Sequence, residues 1–482
     1  VLSSLSLPFS RSALSAPTAP LRRSACRRRT VRRAAGAALV AGLVAMGVTA
    51  SAGTAAAESG TTAARGGATA TIGGLKTYGA AVVHTETGDL EVSAGLFEMS
   101  VEGGGTLQTY CVDLHNPTQK DARYHETPWS GTSLGTNKDA GRIRWILQHS
   151  YPQVNDLAAL ARKAGIRGGL TEQDAAAGTQ VAIWRYSDAA DVDAVDAEAE
   201  KLADYLEKNA RAVREPKASL TLDPPAVSGR PGGQLGPVTV RTDADMVTVT
   251  PPANAVTSGV RIVDADGEPV TSARNGDRLF FDVPEDAADG TAELTLNAST
   301  TVPVGRAFAS ESRSQTQILA GSSESTVSVK ATATWAKTGA IPALSARKNC
   351  AEGGLDITAS NVGDEPFTFD LMGIEHSIEA GETRTVTVPL QEDQPYDLTI
   401  TGPGGFEKRF TGNLDCETQG ADTGITTQTL TEPTPAVSTP TDDLNLAATG
   451  SSNATPLIAG AAIAFVVIGG AALILVRRRN AP

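Results

Sequence analysis

Leu457–Val476 runs for twenty residues without a charge and is followed at once by Arg477-Arg478-Arg479. At about 1.5 Å per helical residue it reaches about 30 Å, the thickness of a bilayer's hydrocarbon core. The expectation is a transmembrane helix over 457–476 with a cytoplasmic basic tail at 477–482, which places everything before it outside the cell. The opposite end agrees. Eight arginines and no acid lie before residue 58, and the apolar stretch Ala34–Val48 leads to Ala55-Ala56-Ala57-Glu58. A basic region, a short apolar region and an A-x-A site read as a signal peptide over 1–57, cut between Ala57 and Glu58. A spanning helix is the weaker reading there, because the run is short and interrupted by glycine.

Setting these ends aside changes the charge. The chain carries 41 basic and 54 acidic residues; eleven of the arginines belong to the two ends, so the exported part holds 30 against 54. Such an acidic surface excludes nonspecific nucleic-acid binding, which needs a surplus of Lys and Arg. No His/Cys cluster has zinc spacing. Asp264-Ala265-Asp266-Gly267 starts like a calcium loop but lacks the bidentate Glu, and reads as a polar turn. No metal and no cofactor are expected.

Immediately before the apolar run stands Leu446-Ala447-Ala448-Thr449-Gly450. With the run and the basic tail, it resembles a sortase sorting signal of the LAxTG variety, typical of actinobacterial class E sortases. The resemblance implies cleavage between Thr449 and Gly450 and attachment of Thr449 to peptidoglycan. A plain single-span membrane protein is the alternative. Residues 419–445, rich in Thr, Pro, Ser and Asp, cannot bury enough apolar surface to fold and read as an extended disordered spacer.

Residues 217–418 alternate with period two and are punctuated by Gly, Pro, Asn and Asp, the pattern of two β-sandwich domains of immunoglobulin-like type, 217–340 and 341–418. Cys350 and Cys416 bracket the second and, in an oxidising exterior, are expected to form a disulfide. Residues 68–215 differ: strand-like runs up to Leu114 give way to helical periodicity over 139–150, 154–164, 171–187 and 196–213. Strands followed by helices make an α+β domain, so the whole is a multidomain chain with an α+β head and an all-β stalk.

Cysteine arithmetic isolates one residue. Cys26 leaves with the signal and Cys350 pairs with Cys416, so Cys111, in Tyr110-Cys111-Val112-Asp113-Leu114, stands alone. Gln180 is the second oddity. On a helix opened by Thr171 and Asp174, it shares one face with Ala176, Ala177, Ile183 and Trp184, where a carboxamide must be hydrogen-bonded or chemically used. Gly178, costly inside a helix, suits a close backbone approach.

The segments Tyr110–Leu114 and Thr179-Gln180-Val181-Ala182-Ile183-Trp184 resemble, in order and spacing, the two signatures of the bacterial surface thioester (TQxA) domain. The resemblance covers roughly residues 70–210. It implies an internal thioester between Cys111 Sγ and the Gln180 side-chain carbonyl, and covalent adhesion to an amine-bearing partner such as a lysine. Sulfur would have to be held against the carbonyl, with the oxygen polarised and water excluded. Tyr110, His115 and His125 are the candidate donors and Trp184 a candidate dry wall. The rivals are a structural surface protein without an active thioester, and a Cys–His hydrolase using His115, His125 or His149. No protease-type signature surrounds Cys111. Lys217, Lys330 and Asn297 lie in strand-like runs but define no cross-link.

Overall fold

The computed structural model describes residues 66–417. The signal segment with Ala57 and Glu58, the whole spacer, the Leu446–Gly450 motif and the apolar run lie outside them. Among the described residues no helix is long and apolar enough to cross a membrane.

The head opens with two long strands, β1 (Thr69–Thr85) and β2 (Gly88–Val101), paired over almost their whole length. Gly88, at a φ of 129°, closes the tight turn between them. Next come β3 (Thr106–Cys111) and β4 (Arg123–Thr127), then α1 (Ala140–His149), α2 (Leu157–Lys163), α3 (Glu172–Ser187), β5 (Val192–Ala194) and α4 (Ala197–Asn209). Helix α3 begins where the sequence places it: Thr171 Oγ1 accepts from the Asp174 amide, and Asp174 accepts from the Thr171 amide. The expected single apolar face is too narrow a description, because Ala175–Trp184 are all buried. A Cβ on Gly178 would collide with the Ala199 carbonyl, so that glycine lets α4 lie directly on α3. Helix α4 stops at Asn209, short of the expected 213; Val213 lies beyond the helix, and its amide donates to the Gly141 carbonyl.

The stalk segment opens with two sheets. One holds Leu220–Asp223, Gln234–Thr242, Arg261–Val263 and Arg278–Asp282; the other holds Ala226–Gly229, Val247–Thr250, Ser272–Ala273, Gly290–Thr301 and Glu324–Trp335. Strands Gly290–Thr301 and Glu324–Trp335 form one long hairpin, in register from Gly290↔Trp335 to Thr301↔Glu324. Its connection is where the structure departs from the sequence-based boundary at 217. Residues 302–323 leave the stalk and return to the head as β6 (Ala307–Ser310) and β7 (Gln317–Ser322).

These two strands complete the head. The sheet runs β2-β3-β7-β6-β4-β1-β5, and β1 also pairs with β2, so the first six strands close into a ring. Strand β7 pairs with β3, and β6 with β4. Phe308, Ile318 and Leu319 are fully buried in the shared core.

A second bond between head and stalk is ionic. Arg306, 3% exposed, donates from Nε to Glu126 Oε1 at 2.8 Å and from a terminal nitrogen to Glu215 at 2.7 Å. Glu126, 2% exposed, also accepts from the amides of Ala68 and Ser219 and from the Ser219 hydroxyl. One carboxylate thereby joins the start of the head, the start of the stalk and the returning segment.

The last domain, Ala340 to Cys416, has its own core around Leu355, Ile357, Phe367, Ile400 and Phe410. Cys350 and Cys416 form the expected disulfide, with Cα atoms 5.1 Å apart. This domain reaches the head: Cys350 N donates to the Ser130 carbonyl, and Thr316 Oγ1 donates to Asp415 at 3.0 Å.

Candidate functional site

Strand β3 places Cys111 where one neighbour ends. Its pairing with β2 stops at Phe97↔Thr109, two residues short of Cys111, while β7 continues alongside on the other edge. A strand edge left unpaired inside a core would bury an amide and a carbonyl without partners. The side chain of Gln180 takes the place of the missing strand. Cys111 N donates to Gln180 Oε1 at 3.0 Å, and Gln180 Nε2 donates to Cys111 O at 2.9 Å. The carboxamide of Gln180 is fully buried and Cys111 is 2% exposed. Among the described residues Cys111 is the one cysteine outside a disulfide.

This pairing has chemical content. The Cys111 amide already polarises the Gln180 carbonyl oxygen, as an oxyanion donor does, and the Gln180 nitrogen, the group that leaves in acyl transfer to sulfur, faces an acceptor. Both groups are held in one place without bulk water. Burial pushes the Cys111 thiol up to about 12, against hydrogen bonds from Gln317 and Thr118 that favour the thiolate. Sulfur is therefore stored as the neutral thiol.

Alternation along β3 sets what else faces the sulfur. Thr109 and Cys111 share a face, and Gln317 of β7 lies directly opposite Cys111 in the register. Gln317 Nε2 donates to Cys111 Sγ at 3.4 Å, and its Oε1 accepts from Thr109 Oγ1 at 3.0 Å. Nothing in the sequence points to Gln317: it lies 206 residues downstream, at the end of a polar run within the expected stalk domain 217–340. That run, Ser314-Gln315-Thr316-Gln317, is buried throughout.

Of the four candidate environment residues, two face elsewhere. Tyr110 occupies the other side of β3, and its hydroxyl donates to the Tyr151 carbonyl at 2.9 Å. His125 pairs with Glu311 and with Thr69 Oγ1, on the face of β4 opposite to Tyr124. His115 follows the strand; its Nδ1 is buried with no hydrogen-bond partner among the described residues, and burial lowers its pKa. Trp184 lies one helical turn beyond Gln180 and is buried, its Nε1 without a hydrogen-bond partner among the described residues. His149 belongs to α1, stacks on Trp145 and bonds to that residue's carbonyl.

Carboxyls rather than imidazoles gather near the sulfur. Burial raises Asp113 to about 8, with Asp188 and Asp415 adding to the shift, and raises Asp188 to about 7. Asp188 sits at the C-terminal end of α3 and accepts from the Leu114 amide; Asp113 accepts from the amides of His115 and Asn116. Lys348 opposes the shift at Asp415, which burial raises to about 6. In the unfolded chain these groups lose their protons near pH 4, whereas the folded state retains them. Because the folded state then binds more protons, stability falls as pH rises from about 4 to about 8. Thermal melting from about pH 5 to about pH 8 is expected to show this decline, and a flatter one in Asp113→Asn. An unchanged slope in the variant contradicts the assignment.

Two family models match parts of the chain. Residues 108–212 match the model described as "Thioester domain", and residues 326–413 match "Bacterial phospholipase C, C-terminal domain". Among solved structures, the Bacillus anthracis TIE protein is 14% identical, over 73% of this chain and 81% of its own, with a TM-score of 0.26. The thioester domain of the Enterococcus faecium TIE86 protein is 17% identical, over 56% of this chain and 97% of its own, with a TM-score of 0.27. No curated protein matches the chain.

Proposed function

We propose that the chain is a cell-surface adhesin that stores an internal thioester between Cys111 and Gln180 and spends it once, on an amine of its target. The observation that carries this reading is the reciprocal pairing of the Gln180 carboxamide with the backbone of an unpaired, buried cysteine. The match of residues 108–212 to the thioester-domain model supports it independently.

The chemistry is a pair of acyl transfers. First Sγ bonds to the Gln180 carbonyl carbon, the bond to Nε2 breaks, and the thiol proton leaves with that nitrogen as ammonia. Then an amine nitrogen, such as that of a lysine, bonds to the same carbon; the bond to Sγ breaks, and a proton from the amine restores the thiol. The product is an amide that water does not readily reverse. Nothing returns Gln180 to its starting state, so the protein captures without turnover. The hydrolase reading loses two of its three candidate histidines, because His125 and His149 are engaged elsewhere while His115 is not.

Residues 58–445 are expected to weigh one ammonia less than the disulfide-bonded sequence mass, and methylamine should then add its whole mass, as an amide on Gln180. An unmodified mass favours the structural surface protein instead.

Export and anchoring complete the proposal: removal of 1–57, sortase cleavage between Thr449 and Gly450, and attachment to peptidoglycan, with 457–476 spanning the membrane only in the precursor. Thr449→Ala is expected to move the protein from the wall fraction to the membrane fraction. An unchanged distribution between the two defeats the sortase reading.

A further inference from the structure

We propose that Gln317, carried into the head by the stalk's long hairpin, is a catalytic residue of the thioester chemistry: its amide hydrogen-bonds the sulfur as negative charge develops there. The inference rests on the Cys111–Gln180 reading and adds to it a group outside the matched residues 108–212.

Geometry supplies the argument. Gln317 stands opposite Cys111 in the β3–β7 register, so the two side chains rise from the same face. Its Nε2 is 3.4 Å from Sγ, and Thr109 Oγ1 holds its oxygen at 3.0 Å. That second bond fixes which way the carboxamide points. With Oε1 committed to a hydroxyl donor, the nitrogen is the end that faces sulfur. Gln317 is fully buried, as is Thr109, so the orientation is set by packing as well as by hydrogen bonding.

The two glutamines then divide the reaction. The Gln180 carboxamide is oriented by the Cys111 backbone and supplies the carbon that is attacked; Gln317 addresses the sulfur. When the thioester forms, sulfur gives up its proton as the Sγ–carbon bond is made, and the ammonia that departs carries that proton. When an amine is captured, sulfur departs with the bonding electron pair and takes a proton from the amine. Sulfur bears negative charge in both steps, and a donor in a dry site favours that charge most where no water competes. Gln317 therefore accelerates both formation and discharge without entering either product.

The test uses residues 58–445 and two substitutions, alone and combined. Gln317→Met keeps length and apolar packing but removes the donor. Thr109→Val releases the carboxamide oxygen, and the double variant leaves no orphaned hydroxyl. Thermal melting confirms folding, intact mass follows ammonia loss, and the methylamine adduct gives the capture rate. Gln317→Met and the double variant are expected to form the thioester incompletely and to react about tenfold to a hundredfold more slowly, the range for a hydrogen bond to a charged group. Thr109→Val should fall between them and the wild type. A folded Gln317→Met that loses ammonia fully and reacts at the wild-type rate overturns the inference alone. Ammonia loss that maps to Gln317 rather than Gln180 overturns the assigned division. A wild-type chain of unmodified mass overturns the underlying reading, and this inference with it.

Discussion

A chain ending at residue 216 is expected to form no thioester, although it retains the whole segment matched by the thioester-domain model. Such a chain lacks β6 and β7, which lie between β3 and β4 and close the ring. Strand β3 then loses its remaining neighbour at Cys111, including the bond from Val112 N to the Thr316 carbonyl. Phe308, Ile318 and Leu319 leave the core as well. Burial of each contributes about 1.5–3 kcal/mol. A domain's net stability is only about 5–15 kcal/mol, so the shortened head should not hold a native fold. Intact mass and the hydrodynamic radius of residues 58–216 check this: full sequence mass and an expanded chain are expected. A compact fragment that loses ammonia as completely as the long chain contradicts the interleaved head.

The second large effect belongs to the buried ion pair. Arg306→Met keeps the stem but removes the charge facing Glu126, which remains buried between two amides and a hydroxyl. Breaking one side of such a pair typically costs about 3–5 kcal/mol, because the other charge is left without compensation. The loss should appear as a lower urea midpoint for head and stalk together, since the two share the returning segment. Glu126→Gln should cost less, its amide oxygen still accepting from Ser219. A shift in Arg306→Met no larger than that of an exposed ion pair, about 0–1 kcal/mol, contradicts the junction's role.

What could be read from sequence and what could not follows from the range of each interaction. The start of α3 was legible because Thr171 and Asp174 cap it within one turn. The role of Gly178 followed from the cost of glycine in a helix, and the disulfide followed from counting cysteines in a chain expected to be exported. Cys111 and Gln180 stood out as misfits, a lone thiol and a buried amide, and the structure sets them against each other. The returning hairpin was not legible. Period-two alternation announces a strand without saying which sheet receives it, and β7 meets β3 across about 200 residues. For the same reason Gln317 was missed, and histidines local to the motif were considered instead. Tyr110 was misjudged for a simpler reason: neighbours in a strand point to opposite faces, so adjacency to Cys111 turns its hydroxyl away. The overlong α4 reflects apolar spacing that continues to Val213, although the backbone there bonds to Gly141 instead.

The central claim is that Cys111 and Gln180 are joined by loss of ammonia. It is tested most directly by the intact mass of residues 58–445 with and without substitution at the two positions. The account predicts a deficit of one ammonia in the wild type, absent from both Cys111→Ala and Gln180→Ala. Cys350 and Cys416 remain paired in all three, so their contribution to the mass cancels. A wild-type mass equal to the disulfide-bonded sequence mass, or a deficit that survives either substitution, contradicts it.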